Sequence, residues 1–227
     1  MRNVDEFIQK NVETSLQPQM YEIAEELWDL LVVLDKKGYV KKNLFQNNKK
    51  NLQIFRSVGK NCDRILLAHN KFFELFIDEG KRKKFLDFMR EFEFTDPNLG
   101  HIFIVQLIFD FLLVSESFKN ILIFVLDVEP KKTLGQLFKK LERITKGNGE
   151  AKKIAERIDI DLRNSLAHFT FKASEATIYY YCHEKENGKW ILKEMEIEPY
   201  ELLEKIQNQS IIRGILFSVV LDWYGLA

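Results

Sequence analysis

The chain has 227 residues, which is enough for one domain with a substantial core or for two small domains. Hydrophobic residues make up 46% and charged residues 30%, as in soluble globular proteins, and the low numbers of glycine (10) and proline (4) favour long helices. Lys plus Arg number 34, the same as Asp plus Glu, so the overall charge does not indicate a nucleic-acid-binding protein, and any basic surface must be local.

The cysteines and the apolar segments predict a cytoplasmic protein. Cys62 and Cys182 lie far apart in sequence, as expected for free thiols in a reducing compartment, although a single disulfide stays an alternative. The first residues, "MRNVDEFIQKN", lack the apolar segment of a signal peptide. The most apolar stretch, residues 102–128, is interrupted by three ionisable side chains and therefore predicts a buried central helix instead of a membrane span.

Apolar periodicity and turn residues predict helices along most of the chain. In chain order, the predicted helices cover residues 4–16, 19–35, 60–79, 82–93, 102–128, 134–145, 151–169 and 199–224. Thr133 is a candidate helix cap, and "TDPNLG" at residues 95–100 is a predicted turn and the best candidate for a domain boundary. Strands are predicted where "ATIYYYCHE" and "KWILKEMEI" flank an Asn-Gly turn.

These elements predict a mainly α fold, a helical bundle with one β-hairpin near residues 176–197. Residues 1–95 are predicted to form a helical N-terminal region, whose role the sequence does not indicate. Residues 96–227 are predicted to form a helical domain into which the hairpin is inserted.

A basic segment, residues 36–56, contains six lysines, one arginine, three aromatic residues and no acidic residue. One interpretation is a solvated connector with a short helix. The other is a patch whose lysines contact phosphates while its aromatic rings stack on bases. The lysines concerned are Lys36, Lys37, Lys41, Lys42, Lys49 and Lys50.

The stretch "RIDIDLRNSLAHFTF", residues 157–171, contains the candidate catalytic residues. When residues 151–169 are projected as one helix at about 100° per residue, an apolar stripe faces the core. Arg163 and His168 then lie on either side of this stripe, and Asn164 points nearly outward. The projection therefore predicts a polar group at the edge of the helix.

Two apolar residues, Ile160 and Ala167, also point outward in this projection, between the polar residues. A solvated helix face more often carries Lys or Glu, so these positions predict a surface that a partner covers. A homodimer is the natural expectation, because a twofold axis would bring two copies of the polar residues together.

Arginine and histidine without metal ligands are suited to cleaving RNA. Histidine exchanges protons near neutral pH and suits general acid–base catalysis, and the planar guanidinium of Arg163 stays charged and fits a phosphate. The expected reaction is activation of the ribose 2′-OH by His168, attack on the neighbouring phosphorus, and stabilisation of the phosphoryl charge by Arg163. A second histidine, from the partner subunit, would protonate the leaving oxygen.

The motif "RNSLAH", on a helix that follows a long apolar helix, resembles the signature of HEPN-domain ribonucleases: arginine, a polar residue, three variable residues and histidine. The resemblance covers roughly residues 100–227 and implies a helical bundle and a dimeric, metal-independent endoribonuclease, with Arg163 and His168 catalytic and Asn164 in support. Members serve as toxins, abortive-infection effectors and RNA-processing nucleases, so a cognate antitoxin or regulator is an expected partner. Thr170 stands where toxins paired with a minimal nucleotidyltransferase antitoxin often have tyrosine.

Three alternatives stay open. A second match to the motif, Arg64 with His69, places its histidine in an apolar stripe, which favours a structural role over a second catalytic half-site. The second alternative is a non-catalytic HEPN-like module that binds RNA, a nucleotide or a protein partner. The last alternative is an unrelated helical interaction protein, in which Arg163 pairs with Asp159 and His168 ends the helix.

The sequence contains no other catalytic or metal-binding motif, such as His-Glu-x-x-His, Cys-x-x-Cys, Gly-x-Ser-x-Gly or a Walker loop. Asp159 and Asp161 diverge on a helix, and Cys182 and His183 alternate on a strand, so neither pair predicts a metal site. No metal and no cofactor are therefore expected. The three tyrosines at 179–181 are expected first as strand-forming residues, with a base-stacking surface as the alternative.

Overall fold

The computed structural model describes residues 1–46, 48–59, 80, 83–84, 87, 97–129, 133–145, 149–168, 170–173, 177–186 and 189–226. Its helices are α1 (Arg2–Asn11), α2 (Gln17–Lys36), α3 (helical over 49–59), α4 (Pro97–Val125), α5 (Leu134–Thr145), α6 (Gly149–Arg157), α7 (Ile160–Ala167) and α8 (Pro199–Trp223). Its strands are β1 (Phe171–Ala173), β2 (Ile178–Glu186) and β3 (Lys189–Ile197), in one antiparallel sheet of that order. The predicted mainly α fold is therefore confirmed.

Local signals set the beginnings of two helices. Thr133 Oγ1 accepts a hydrogen bond from Gln136 N at 3.3 Å, and Gln136 Oε1 accepts one from Thr133 N at 3.1 Å, so the predicted cap is a reciprocal capping box at the start of α5. α4 begins at Pro97, so the turn predicted at 95–100 is wrong from Pro97 onward. The fixed φ of proline and its missing N–H suit the first turn of a helix, and here they start one.

The helix predicted over residues 151–169 is two helices. Between α6 and α7, Asp159 has a φ of 46°, in the left-handed region that aspartate tolerates better than most residues. The buried amide of Gln209 holds this break, because its Nε2 donates to the carbonyl O of Ile158 at 2.6 Å while its Oε1 accepts from Ser115 Oγ at 2.8 Å. Local periodicity does not reveal a contact between residues so far apart in sequence, and this is why the single-helix prediction is wrong.

The described residues of 1–65, 114–160 and 209–227 form one compact unit. In it the carboxylate of Asp222 accepts hydrogen bonds from the backbone N–H groups of Asn3 (3.0 Å) and Val4 (3.1 Å), which have no partner within α1 itself. The buried Glu26 accepts hydrogen bonds from Nε and Nη2 of Arg157, each at 3.3 Å, and so links α2 to α6. This unit combines residues from both of the predicted regions.

The second compact unit comprises the described residues of 66–113 and 161–208, and it contains the sheet. The predicted hairpin is confirmed, since β2 pairs antiparallel with β3 along its full length. A third strand, β1, was not predicted from the sequence; it pairs with the other edge of β2 and places Lys172 opposite Tyr179. Ile178, Tyr180 and Ile197 are buried, so one face of the sheet is directed inward.

Some predicted features lie wholly or partly outside the residues that the structure describes. The helix predicted at 60–79 and the boundary predicted between residues 95 and 96 lie outside the described residues, and of the helix predicted at 82–93 only residues 83, 84 and 87 are described, all helical. Among the described helices, none combines the length and the hydropathy that a membrane span requires.

Candidate active site

The helix that contains the motif, α7, is hydrogen-bonded to the sheet near its C-terminal end. The hydroxyl of the buried Ser165 donates a hydrogen bond to the carbonyl O of Tyr181 in β2. The carbonyl O of Ser165 accepts hydrogen bonds from Thr170 N (2.9 Å) and Thr170 Oγ1 (3.0 Å), and Thr170 O in turn accepts one from Tyr181 N at 3.1 Å. These anchoring residues were not predicted from the sequence, although the β-type residues after His168 indicated a strand there.

Arg163 is buried, with 8% of its surface exposed, and its Nη1 donates a hydrogen bond to Oδ1 of Asn164 at 3.1 Å. The prediction that Arg163 lies outside the core stripe, at the polar edge of the helix, is wrong, because the break at Asp159 separates the phase of α7 from that of α6. Leu162 and Leu166 lie in the core as predicted. A guanidinium that a fixed acceptor holds keeps one orientation, which suits an arginine that must meet a phosphate in a defined geometry.

His168 follows the last residue of α7 directly, and its side chain is exposed. Its backbone N–H donates to the carbonyl O of Asn164 at 3.0 Å, in the i to i−4 pattern of an α-helix. The side chains of Arg163 and Asn164 are therefore in contact. Among the described contacts, His168 is linked to Asn164 through its backbone N–H. An exposed imidazole has the access to substrate that a general acid or base needs.

Ile160 and Ala167, the residues predicted to form a dimer face, are the first and last residues of α7, and both are half-buried. A separation of seven positions corresponds to about two helical turns, so the two residues lie on the same side of the helix. Part of each side chain is left uncovered. The dimer face therefore stays a prediction, and its two residues lie where a single partner surface could contact both.

Two lysines of the basic segment cap helices. Lys37 Nζ donates to the carbonyl O of Ile144 at the end of α5, and Lys41 Nζ donates to the carbonyl O atoms of Ile123 and Phe124 at the end of α4, at 3.2 Å each. Cations are favourable at helix C-termini, where backbone carbonyls lack partners. The other four lysines are exposed: Lys36, Lys42, Lys49 and Lys50. Contacts between these four and phosphates stay a prediction.

Two of the three aromatic rings of the same segment, Phe45 and Phe55, pack against other rings of the protein. Phe55 is buried and stacks on Phe217 with 4.5 Å between ring centroids, and Phe45 packs edge-on against Tyr224 at 5.0 Å. Burial, followed by the charge of Asp35, raises the pKa of Tyr224 to about 12. Rings that are occupied in this way offer little surface for stacking on bases, so the segment is better suited to contacting phosphates.

The remaining candidates add no second site within the described residues. Arg64 and His69, the second match to the motif, lie outside them. In the part of the chain that the structure describes, no three His, Cys, Asp or Glu side chains are grouped as ligands for a metal ion.

Comparisons of the chain with protein-family models, with curated proteins and with solved structures gave no match. The function is therefore inferred from the residues themselves: a buried arginine oriented by an asparagine, and an exposed histidine at the end of the same helix.

Proposed function

We propose that the chain is a metal-independent endoribonuclease of the HEPN type that acts as a homodimer. The main support is the geometry of the motif, in which Arg163 is held by Asn164 while the side chain of His168 is exposed. RNA is the proposed substrate, because the ribose 2′-OH supplies a nucleophile that DNA lacks. The proposed setting is cytoplasmic, as a toxin or defence effector that a cognate antitoxin or regulator controls.

The proposed reaction uses the side chains of the motif in distinct roles. The neutral imidazole of His168 removes the proton of the 2′-OH, and the 2′-oxygen attacks the adjacent phosphorus. The P–O bond to the 5′-oxygen of the next nucleotide breaks, leaving a 2′,3′-cyclic phosphate. Arg163 stabilises the negative charge of the phosphoryl oxygens, and Asn164 positions Arg163.

A single protomer supplies one histidine through this motif, whereas the reaction needs both a base and an acid. In the proposed dimer, His168 of the partner subunit donates a proton to the leaving 5′-oxygen. The aligned positions of Ile160 and Ala167 on one side of α7 support a contact along this helix.

Cleavage of a mixed pool of single-stranded RNA in the presence of EDTA tests the proposal. We expect the wild type to cut and His168→Ala to lose about 10²- to 10⁴-fold in rate, as for the loss of general acid–base catalysis. Arg163→Lys keeps the charge but loses the planar fork, so its activity is expected to fall while the chain stays folded by circular dichroism. Asp161→Ala is the matched control, because Asp161 is exposed on the same helix.

Two results would overturn the proposal: a folded wild type that cuts no RNA in the pool, or a His168→Ala variant that cuts as fast as the wild type. Cleavage that EDTA abolishes would remove the metal-independent mechanism. The products distinguish the chemistry further, since attack by the 2′-oxygen leaves a cyclic phosphate and a 5′-hydroxyl end.

One observation favours a second candidate, a non-catalytic module that binds RNA, a nucleotide or a protein. Arg163 is buried in the protomer, so its guanidinium must become more accessible before it can contact a phosphate. If its role is only structural, Arg163→Lys will lower the melting temperature while His168→Ala leaves it unchanged, and neither the wild type nor the variants will cut RNA. The cleavage assay and the melting curves together decide between the candidates.

A further inference from the structure

We propose that the exposed face of the sheet stacks on the bases of single-stranded RNA and so holds the substrate next to the motif. We call this surface the outer face and define it by Lys172, Tyr179, Tyr181, Trp190 and Leu192. The inference rests on the proposed function, because it names the conformation of the RNA that the nuclease would bind.

The register of the strands places these side chains on one face. Partners in an antiparallel sheet share a face, and neighbours along a strand alternate between faces. Lys172 pairs with Tyr179, and Tyr181, two residues further along β2, lies on the same side. Trp190 and Leu192 have the corresponding parity in β3 and are 69% and 61% exposed.

The two tyrosine rings on this face are held by contacts with neighbouring side chains. Tyr181 Oη donates a hydrogen bond to Glu194 Oε2 at 2.6 Å, and Lys172 Nζ lies 3.6 Å from the same carboxylate. Lys172 Nζ also lies 4.9 Å from the centroid of the Tyr179 ring. Rigid aromatic rings offer contact area at a low cost in conformational entropy, as in surfaces that stack on unpaired bases.

The charges around the outer face favour recognition of bases over recognition of phosphates. Among the described side chains on this face, the exposed cation is Lys172 and the exposed anions are Glu194 and Glu196, since the other exposed charges of the sheet have the opposite parity. This balance supplies no basic track for a duplex, whose bases are hidden and whose phosphates dominate binding. Stacking by sequence-tolerant aromatic rings is then the main source of affinity, and single-stranded RNA is the nucleic acid that exposes its bases.

The outer face is also close to the motif along the chain. The carbonyl O of Thr170 accepts a hydrogen bond from Tyr181 N at 3.1 Å, so Thr170 lies next to β2, the strand that contains both tyrosines of the outer face. His168 precedes Thr170 by two residues, so their Cα atoms are at most about 7.6 Å apart. A short oligonucleotide with a phosphate at His168 therefore has flanking bases within reach of this strand.

The test measures binding of a fluorescein-labelled single-stranded RNA by anisotropy, with every protein carrying His168→Ala to prevent cleavage. Trp190→Ala and Tyr179→Ala are each expected to weaken binding by about 5- to 150-fold, the range measured when one base-stacking ring is removed. Leu113→Ala is the matched control, because Leu113 is an exposed apolar residue of α4 and lies outside the outer face. Phe109→Ala removes an exposed ring from α4 instead.

Support requires three results: weaker binding in the two ring variants, unchanged binding in the two controls, and poor competition by double-stranded RNA of the same sequence. Folded ring variants that bind RNA as tightly as their parent would overturn the inference. A Trp190→Ala variant that changes the oligomeric state but not the affinity for RNA would overturn it as well. The outcome is separable from the proposed function. If Trp190→Ala and Tyr179→Ala cleave RNA rapidly in chains that retain His168, and bind it normally in the His168→Ala background, the inference fails and the proposed nuclease stands. If the wild type binds RNA through the outer face but cuts nothing, the proposed nuclease fails and the inference stands.

Discussion

At the scale of single residues, the arginine and the histidine of the motif lie in opposite environments. Arg163 is buried and hydrogen-bonded to Asn164, whereas His168 is exposed one residue after the helix ends. Burial costs an arginine its hydration, and a hydrogen bond from its guanidinium offsets part of that cost. The exposed histidine has no such cost, and its imidazole stays accessible from solvent.

The buried amide of Gln209 has a comparable effect on the backbone before the motif. It satisfies the carbonyl O of Ile158 and the hydroxyl of Ser115, and both of these groups are removed from water. Gln209→Leu removes the donor to the buried carbonyl O of Ile158 and should therefore lower the free energy of unfolding by about 1–3 kcal/mol, the usual cost of an unsatisfied buried polar group. Urea denaturation measures this change.

A matched single variant helps to identify the cause. Ser115→Ala removes only the hydrogen bond to Gln209 Oε1 and keeps the one from Gln209 Nε2 to the carbonyl O of Ile158, so we expect it to cost less stability than Gln209→Leu. If Gln209→Leu is neutral, the amide does not hold the break between α6 and α7.

At the scale of elements, the sheet is joined across strands by a small polar cluster. Glu194 in β3 accepts a hydrogen bond from Tyr181 in β2 and lies near the ammonium of Lys172 in β1, so the three strands meet at one carboxylate. The hydrogen bond from Tyr181, together with the charge of Lys172, lowers the pKa of Glu194 below its ordinary value of 4.5. The cluster therefore ties a central strand to both edges of the sheet.

This cluster predicts a pH dependence. Because the pKa of Glu194 is lower in the folded than in the unfolded chain, its contribution to stability is present above pH 4.5 and is lost as the pH falls through the folded value. In Tyr181→Phe the main cause of the shift is removed, so the pKa of Glu194 should rise towards 4.5. Carboxyl titration by NMR gives both values, and an unchanged midpoint in Tyr181→Phe would contradict the assigned cause.

At the scale of the whole molecule, the proposed active site depends on two copies of the chain. A second histidine is needed to protonate the leaving group, and α7 presents Ile160 and Ala167 along one side for such a contact. A residue that disrupts this contact should affect assembly and cleavage together. A residue elsewhere on the surface should affect neither.

Ala167→Glu tests this dependence, because it places an unpaired charge in the proposed dimer face. We expect dimerisation to weaken by about 100-fold or more and RNA cleavage to fall with it. Sedimentation velocity measures the dimer, with Asp161→Ala on the same helix as the control that stays dimeric. A wild type that is monomeric yet cuts RNA, or a dimeric and active Ala167→Glu, would refute the composite site.

Much of the fold was predictable because the responsible signals are local. The apolar stretch predicted a long helix that the structure has as α4, Thr133 predicted the start of α5, and alternating residues predicted β2 and β3. Each signal acts over a few neighbouring residues, through helical periodicity, capping or strand alternation. These features would have been found in any chain with the same segments.

By itself, the sequence determined the mainly α class, most helix positions, the hairpin and the motif that contains Arg163 and His168. Only the tertiary structure decided the break at Asp159, the burial of Arg163 and the use of two lysines as helix caps. Those outcomes depend on contacts between residues that are far apart in the chain, such as the one from Gln209 to Ile158. Local propensity sets what a segment favours, and packing against distant segments decides which side chains are buried and which stay exposed.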